Sequence, residues 1–230
     1  MKNIKSHQRI LDTFTGPLER PLLRWLASKM PAWISPDILT GIGVLGGVLI
    51  LASYALTNIH PAFLWLATLG FVINWFGDSL DGTLARYRKI EKPIYGFYID
   101  HVVDLFVEIM IFLGIGLSPY VRFDLACLAL IGYLALSAMV YIRTCLAGEF
   151  VLSYSRLGPT EARLIAVGAN AIVWFAGGLT FSIFWIQLTI FDCIAIFVIF
   201  LLAAIILSTA IRQGKLFARL EATEKSHSTQ

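Results

Sequence analysis

The chain has 230 residues, is 58% hydrophobic with a mean hydropathy of +0.77, and carries 18 Lys and Arg against 15 Asp and Glu. A soluble domain is nearer half apolar, so these values exclude an ordinary water-soluble fold and point to a single-domain integral membrane protein. The net charge of +3 is too small to argue for nucleic acid as a partner.

The first 35 residues hold Lys2, Lys5, Arg9, Arg20, Arg24 and Lys29 and no long apolar core, which argues against a cleavable signal peptide. Within them, Leu18, Leu22, Trp25, Leu26 and Met30 recur at helical spacing, with Arg20, Arg24 and Lys29 elsewhere on the wheel. Two readings stand side by side: an interfacial amphipathic helix on the cytoplasmic leaflet, or a helix packed on its own bundle. Ser35-Pro36 then gives a helix start, with an N-cap followed by proline at the first position.

Six apolar segments follow, at about 37–57, 61–86, 95–117, 122–147, 160–181 and 185–211. Each approaches or exceeds the ~20 residues that cross a bilayer core. The expected architecture is therefore all-α, with six transmembrane helices behind an N-terminal interfacial amphipathic helix. Residues 1–36 form the cytoplasmic N-terminal segment, 37–213 the six-helix domain and 214–230 a polar cytoplasmic tail. Short linkers mark the turns, among them "RKIEKP", "LSPY" and "TFSIF". On this threading 17 of the 18 Lys and Arg fall on one side, and only Arg122 on the other. The positive-inside rule makes the crowded side cytoplasmic, so both termini face the cytoplasm, as in a bacterial inner membrane. Cys127, Cys145 and Cys193 are scattered through apolar segments without metal or disulfide spacing and are read as small packing residues.

Against this background, residues 77–106 stand out because they place Asp78, Asp81, Asp100 and Asp104 within 27 positions. The first pair is three residues apart and the second four, so each pair shares a helix face. A short loop joins their two helices, which are expected to pack side by side and bring both faces together at the cytoplasmic boundary. Four ionised carboxylates in low dielectric repel and tend to protonate, and divalent cations relieve this. Oxygen-only ligands favour Mg²⁺, Mn²⁺ or Ca²⁺ over zinc, and a two-metal site of such ligands suits phosphoryl displacement. Gly82 and Gly96 lack a β-carbon and leave room for a ligand or a neighbouring helix. Arg86 adds a guanidinium that can fork onto phosphate.

The full pattern, Asp78-x2-Asp81-Gly82-x2-Ala85-Arg86-x9-Gly96-x3-Asp100-x3-Asp104, resembles the motif of the CDP-alcohol phosphotransferases (phosphatidyltransferases) at all eight fixed positions. The resemblance implies that Asp78, Asp81 and Asp100 hold two divalent ions, Mg or Mn, with Asp104 adjoining them as general base. It implies that Gly82, Ala85 and Arg86 line a CDP pocket, with Gly96 permitting close packing. The implied activity moves a phosphatidyl or phospho-alcohol group from a CDP-alcohol to an acceptor hydroxyl, lipid or polar, and releases CMP in phospholipid biosynthesis. Membrane lipids and a second copy of the chain, as a homodimer, are the implied partners.

Other positions carry weaker signals. "SPDILT" resembles the family's Pro-Asn-x-x-Thr segment, so Thr40 is a candidate nucleotide contact, while Asp37 stands where asparagine is usual or serves the helix N-terminus. Arg143, Arg156 and Arg163 are candidate contacts for a phosphate on donor or acceptor, or ordinary cytoplasmic charge. Asn74 and Glu108, one turn from Asp78 and Asp104, are a candidate supporting pair, hydrogen-bonded to each other, or independent contacts inside the bundle. His101 is read as packing and Asp192 as lying near the opposite interface. Two other classes remain open: an intramembrane prenyltransferase with paired aspartates and Mg, and a cation-coupled transporter.

Overall fold

The structure, a computed structural model, describes residues 14–147, 158–177, 180–183 and 186–228. Seven helices are present among them: α1 (Gly16–Lys29), α2 (Pro36–Leu56), α3 (Phe63–Arg88), α4 (Pro93–Leu117), α5 (Phe123–Ala147), α6 (Pro159–Ala176) and α7 (Ile190–Ser228). Four helical segments are long and apolar enough to cross a membrane: Pro36–Leu56, Phe63–Arg88, Phe123–Thr144 and Ile190–Arg219. Only 11% of the α7 window is buried inside the protein, so its exposed Phe197, Phe200 and Leu207 require an apolar surrounding. The chain is an integral membrane protein. Its α4 is diluted by Asp100, Asp104 and Glu108, and α6 is only 18 residues long and opens with Glu161 and Arg163.

The turn expected at "TFSIF" is instead the start of an antiparallel hairpin, β1 (Thr180–Ile183) with β2 (Ile186–Thr189), in the register Thr180↔Thr189 and Ile183↔Ile186. It shortens α6 and delays α7 to Ile190. The β-branched residues Thr180, Ile183, Ile186 and Thr189 favour strand over helix here. At the other end, α7 does not stop near 213. Its 39 residues reach about 58 Å, beyond a bilayer of about 40–45 Å with headgroups.

The α2–α3 pair is the centre of the bundle. Small residues let the two backbones approach: a β-carbon on Gly46 would lie 2.5 Å from the Asn74 backbone nitrogen, and one on Gly77 would overlap the Gly43 backbone. Ile50, Tyr54, Leu64, Ala67, Phe71 and Val173 form one buried cluster. Leu23, Ala27, Leu39, Leu80 and Leu84 form another, which fixes α1 onto α2 and α3. Ser35 caps α2 as expected, its hydroxyl accepting from the Ile38 N–H at 3.2 Å. Arg88, at the end of α3, donates to the carbonyls of Met30 (3.1 Å), Pro31 (2.8 Å) and Ile34 (2.6 Å), tying down the α1–α2 connection.

The packing of α3 and α4 also departs from expectation. Helices α3 and α4 make almost no close backbone contact with each other; α2 packs against each of them instead. A short loop sets proximity at its own ends only, and Lys89, in the left-handed region at φ 56°, turns the chain sharply before α4.

Candidate active site

A cavity of about 1180 Å³ opens between α3 and α4, with α1, α2 and α6 completing its walls. Asp78, Asp81, Gly82, Ala85 and Arg86 border it from α3, Gly96, Asp100 and Asp104 from α4, Thr40 from α2 and Arg163 from α6. Every position of the eight-residue motif thus faces one space, although the segments that carry it scarcely touch.

Within the cavity the carboxylates of Asp78, Asp100 and Asp104 converge, each with an oxygen within 4.8 Å of the others. All three are half-buried. Their spacing follows from sequence: Asp100 and Asp104 are one turn apart on α4, and Asp78 meets them from α3. Asp81 faces the same cavity but lies outside this tight group. It accepts from the Thr40 hydroxyl at 2.6 Å and from the Gly82 N–H. Three converging oxygen donors at the edge of an open cavity fit a hard divalent cation, with room for water or substrate oxygens to complete its shell.

Asp78 has a cationic partner. Arg163 Nη2 donates to Asp78 Oδ2 at 2.7 Å, and its Nε donates to Asn74 Oδ1 at 2.8 Å. The Asn74 side-chain Nδ2 donates in turn to the Gly43 carbonyl at 2.9 Å. A chain of hydrogen bonds therefore runs from the α2 backbone through Asn74 and Arg163 to Asp78. Arg163 Nη1 is buried and has no hydrogen-bond partner among the described residues. A buried unpaired donor beside a cavity is an invitation to an acceptor oxygen from a ligand.

Asn74 and Glu108 do not pair as expected. The Asn74 amide is occupied by Gly43 and Arg163, and Glu108 accepts from the Tyr133 hydroxyl of α5 at 2.6 Å. Both side chains sit behind the carboxylates with partners of their own. Gly96 borders open space rather than a packed helix, and the nearest atom to a β-carbon on Gly82 would be the Arg86 guanidinium at 3.2 Å. Close packing falls instead on other glycines, among them Gly46, Gly70 and Gly77. Arg143 does not border the cavity, and its Nε is buried without a partner among the described residues. Arg156 lies outside the described residues. His101 stacks on Phe97 at 4.1 Å and donates from Nδ1 to the Phe97 carbonyl at 2.7 Å, while also bordering the cavity.

Sequence reasoning missed Glu19. Its Oε1 accepts from Trp75 Nε1 (2.7 Å), Ser79 Oγ (3.2 Å) and Thr160 Oγ1 (3.0 Å). Nearby, Glu161 accepts from the Thr15 hydroxyl (2.8 Å) and N–H (2.9 Å) and from the Gly158 N–H (2.8 Å). The start of α1 is thus clamped to α3 and α6. The available signal was an acid in the first turn of α1, which resembles ordinary helix-end charge and names no partner.

Fold and site together define a helical membrane protein with a carboxylate-lined polar cavity. Residues 33–211 match the CDP-alcohol phosphatidyltransferase family, and the chain belongs to that family. It is 31% identical to CDP-diacylglycerol–serine O-phosphatidyltransferase of Encephalitozoon cuniculi over 77% of this chain and 48% of that protein. It is 33% identical to archaetidylinositol phosphate synthase of Pyrococcus horikoshii, over 63% of this chain and 73% of that protein. It is 32% identical to cholinephosphotransferase 1 of Xenopus laevis, over 39% of this chain and 24% of that protein. The chain therefore spans about half the length of the first relative and a quarter of the third. Membership in this family decides against the prenyltransferase and transporter readings.

Proposed function

We propose that the protein transfers a substituted phosphate group from a CDP-alcohol to an acceptor hydroxyl, releasing CMP, as a step of phospholipid synthesis. The observation that carries this is the convergence of Asp78, Asp100 and Asp104 in a cavity that all eight motif positions border. Asp78, Asp81, Asp100 and Asp104 would hold two divalent ions, Mg²⁺ or Mn²⁺, which when bound supply positive charge against the donor diphosphate. Gly82, Ala85, Arg86, Gly96 and Thr40 bind the CDP moiety. Asp104 takes the proton from the acceptor hydroxyl. The acceptor oxygen then bonds to the β-phosphorus, the bond from that phosphorus to the bridging oxygen breaks, and CMP leaves with that oxygen. Arg163 keeps Nη1 for a phosphate oxygen of the substrate, supported by its buried and unpaired state. Asn74 orients Asp78 through Arg163, supported by their hydrogen bonds, while Glu108 supports Asp104 from one turn behind. Arg143 and Arg156 remain candidate contacts for an acceptor phosphate.

The proposed topology has six spans, α2 to α7, in a domain of residues 37–213, with α1 on the cytoplasmic leaflet and a tail from 214. Its support is the charge distribution and the exposed Leu18, Leu22 and Trp25 of α1. The site then faces the cytoplasm, where soluble nucleotides are found, in what we take to be a bacterial inner membrane; a homodimer is the proposed assembly. The curated relatives include proteins named for transfer of a phosphatidyl group and others named for transfer of cholinephosphate, so both donor types are tested. Membranes containing the protein are supplied with radiolabelled CDP-diacylglycerol, CDP-choline or CDP-ethanolamine and with candidate acceptors. One pairing should give labelled lipid and CMP that disappear with EDTA and return with Mg²⁺ or Mn²⁺. Turnover that survives metal removal would reject the reading.

A further inference from the structure

Helix α1 lies ahead of the family-matched region, which begins at residue 33, yet it forms a wall of the cavity. At about 100° per residue its side chains divide into three faces. Gly16, Leu23 and Ala27 are buried and fix the helix to the bundle. Leu18, Leu22 and Trp25 point away and are 82%, 45% and 58% exposed. Arg20 and Arg24 border the cavity, one turn apart, about 140° on average from that exposed apolar stripe. Their guanidinium groups therefore lie on the cavity side of the helix, away from the face that meets lipid.

The wall is held firmly. Each arginine follows a residue that the bundle pins: Glu19, with donors from Trp75, Ser79 and Thr160, precedes Arg20, and buried Leu23 precedes Arg24. Thr15, just before the helix, is bound to Glu161. At the far end Arg88 secures the carbonyls of Met30, Pro31 and Ile34. A helix backbone held in this way presents both arginines to the same side, and a guanidinium matches the geometry of phosphate oxygens.

Building on the transferase reading, we propose that Arg20 and Arg24 form a phosphate-binding wall of the cavity, so that α1 takes part in substrate binding as well as in membrane contact. The group it holds is a phosphoryl anion, either in the donor diphosphate or as a separate phosphate on the acceptor. The test uses full-length protein in lipid nanodiscs with Mn²⁺ and two calorimetric titrations: CDP alone, and inorganic phosphate added to CDP-saturated protein. Arg20→Gln/Arg24→Gln should bind at least about tenfold more weakly in one of them. A loss in the CDP titration assigns the wall to the donor, and a loss in the phosphate titration to the acceptor. Arg20→Lys/Arg24→Lys should recover part of the loss. Lys29→Gln, on the opposite side of α1, should bind as wild type does. The single Arg24→Gln variant serves where the double variant fails to fold, and the thermal midpoint of ligand-free protein identifies that case. A change of less than about tenfold in both titrations overturns the proposal while CDP binding by wild type leaves the transferase reading intact. A wild type that binds neither probe overturns both.

Discussion

The two ends of the bundle treat their acids differently. At the end opposite the cavity, Asp192 is 1% exposed and its oxygens are filled by the chain itself. Oδ1 accepts from the Arg122 N–H and Oδ2 from the Thr189 N–H, each at 2.8 Å, while the Asp192 N–H donates back to the Thr189 hydroxyl at 3.0 Å. This is a helix-capping box that also clips the α4–α5 loop to the start of α7. At the cavity, Asp78, Asp100 and Asp104 are half-buried and aim oxygens at one another. Carboxylates crowded together repel, whereas backbone N–H groups stabilise a lone one. An acid whose lone pairs the fold satisfies is part of the fold, whereas acids gathered around open space have the donor set a cation would need. Asp124 illustrates a third case, an exposed pair with Arg122 at 2.6 Å, which solvent screens.

That contrast yields predictions of decreasing size. Asp104→Asn should lower turnover by about 10²–10⁴-fold, the usual contribution of a general base, while CDP binding in Mn²⁺ stays measurable. Retained turnover would remove Asp104 from that role. Asn74→Ala breaks the link between Gly43 and Arg163 and should weaken Mn²⁺ binding by about 10–100-fold, read by calorimetry. Unchanged Mn²⁺ affinity would make Asn74 a packing residue only. Asp192→Ala strands the Arg122 and Thr189 N–H groups and should cost about 1–3 kcal/mol of stability, with kcat/KM of the folded protein unaltered. A loss of activity without a loss of stability would abolish the distinction between the two ends. Tyr133→Phe removes one hydrogen bond from Glu108 and should have the smallest effect, about 1 kcal/mol in a denaturation midpoint.

Local regularities were legible in the sequence. The carboxylate pairs followed from spacings of three and four, and the start of α2 from Ser35-Pro36, because helical geometry fixes neighbours within a turn. What was not legible depends on residues far apart in the chain. Arg163 reaches Asp78 across 85 positions, and Glu161 reaches Thr15 across 146. Nothing in the spacing of a polar residue selects such a partner, so Asn74 was matched with Glu108 when its partners are Gly43 and Arg163. The scarcity of close contact between α3 and α4 escaped for a related reason: α2, through Gly43, Gly46 and Gly47, draws both helices to itself and leaves the cavity between them. Helix α1 was read as having one apolar face, and it has two, with Leu23 and Ala27 inward and Leu18, Leu22 and Trp25 outward.

The most direct measurement is a calorimetric titration of CDP into the full-length protein with Mn²⁺ and again with EDTA, repeated for Asp78→Asn, Asp100→Asn and Asp192→Asn. If the cavity carboxylates form the metal-dependent nucleotide site, CDP binds only with Mn²⁺, the first two variants lose it, and folded Asp192→Asn keeps it. CDP binding of equal strength in EDTA, or undiminished binding by Asp78→Asn and Asp100→Asn, would contradict the account.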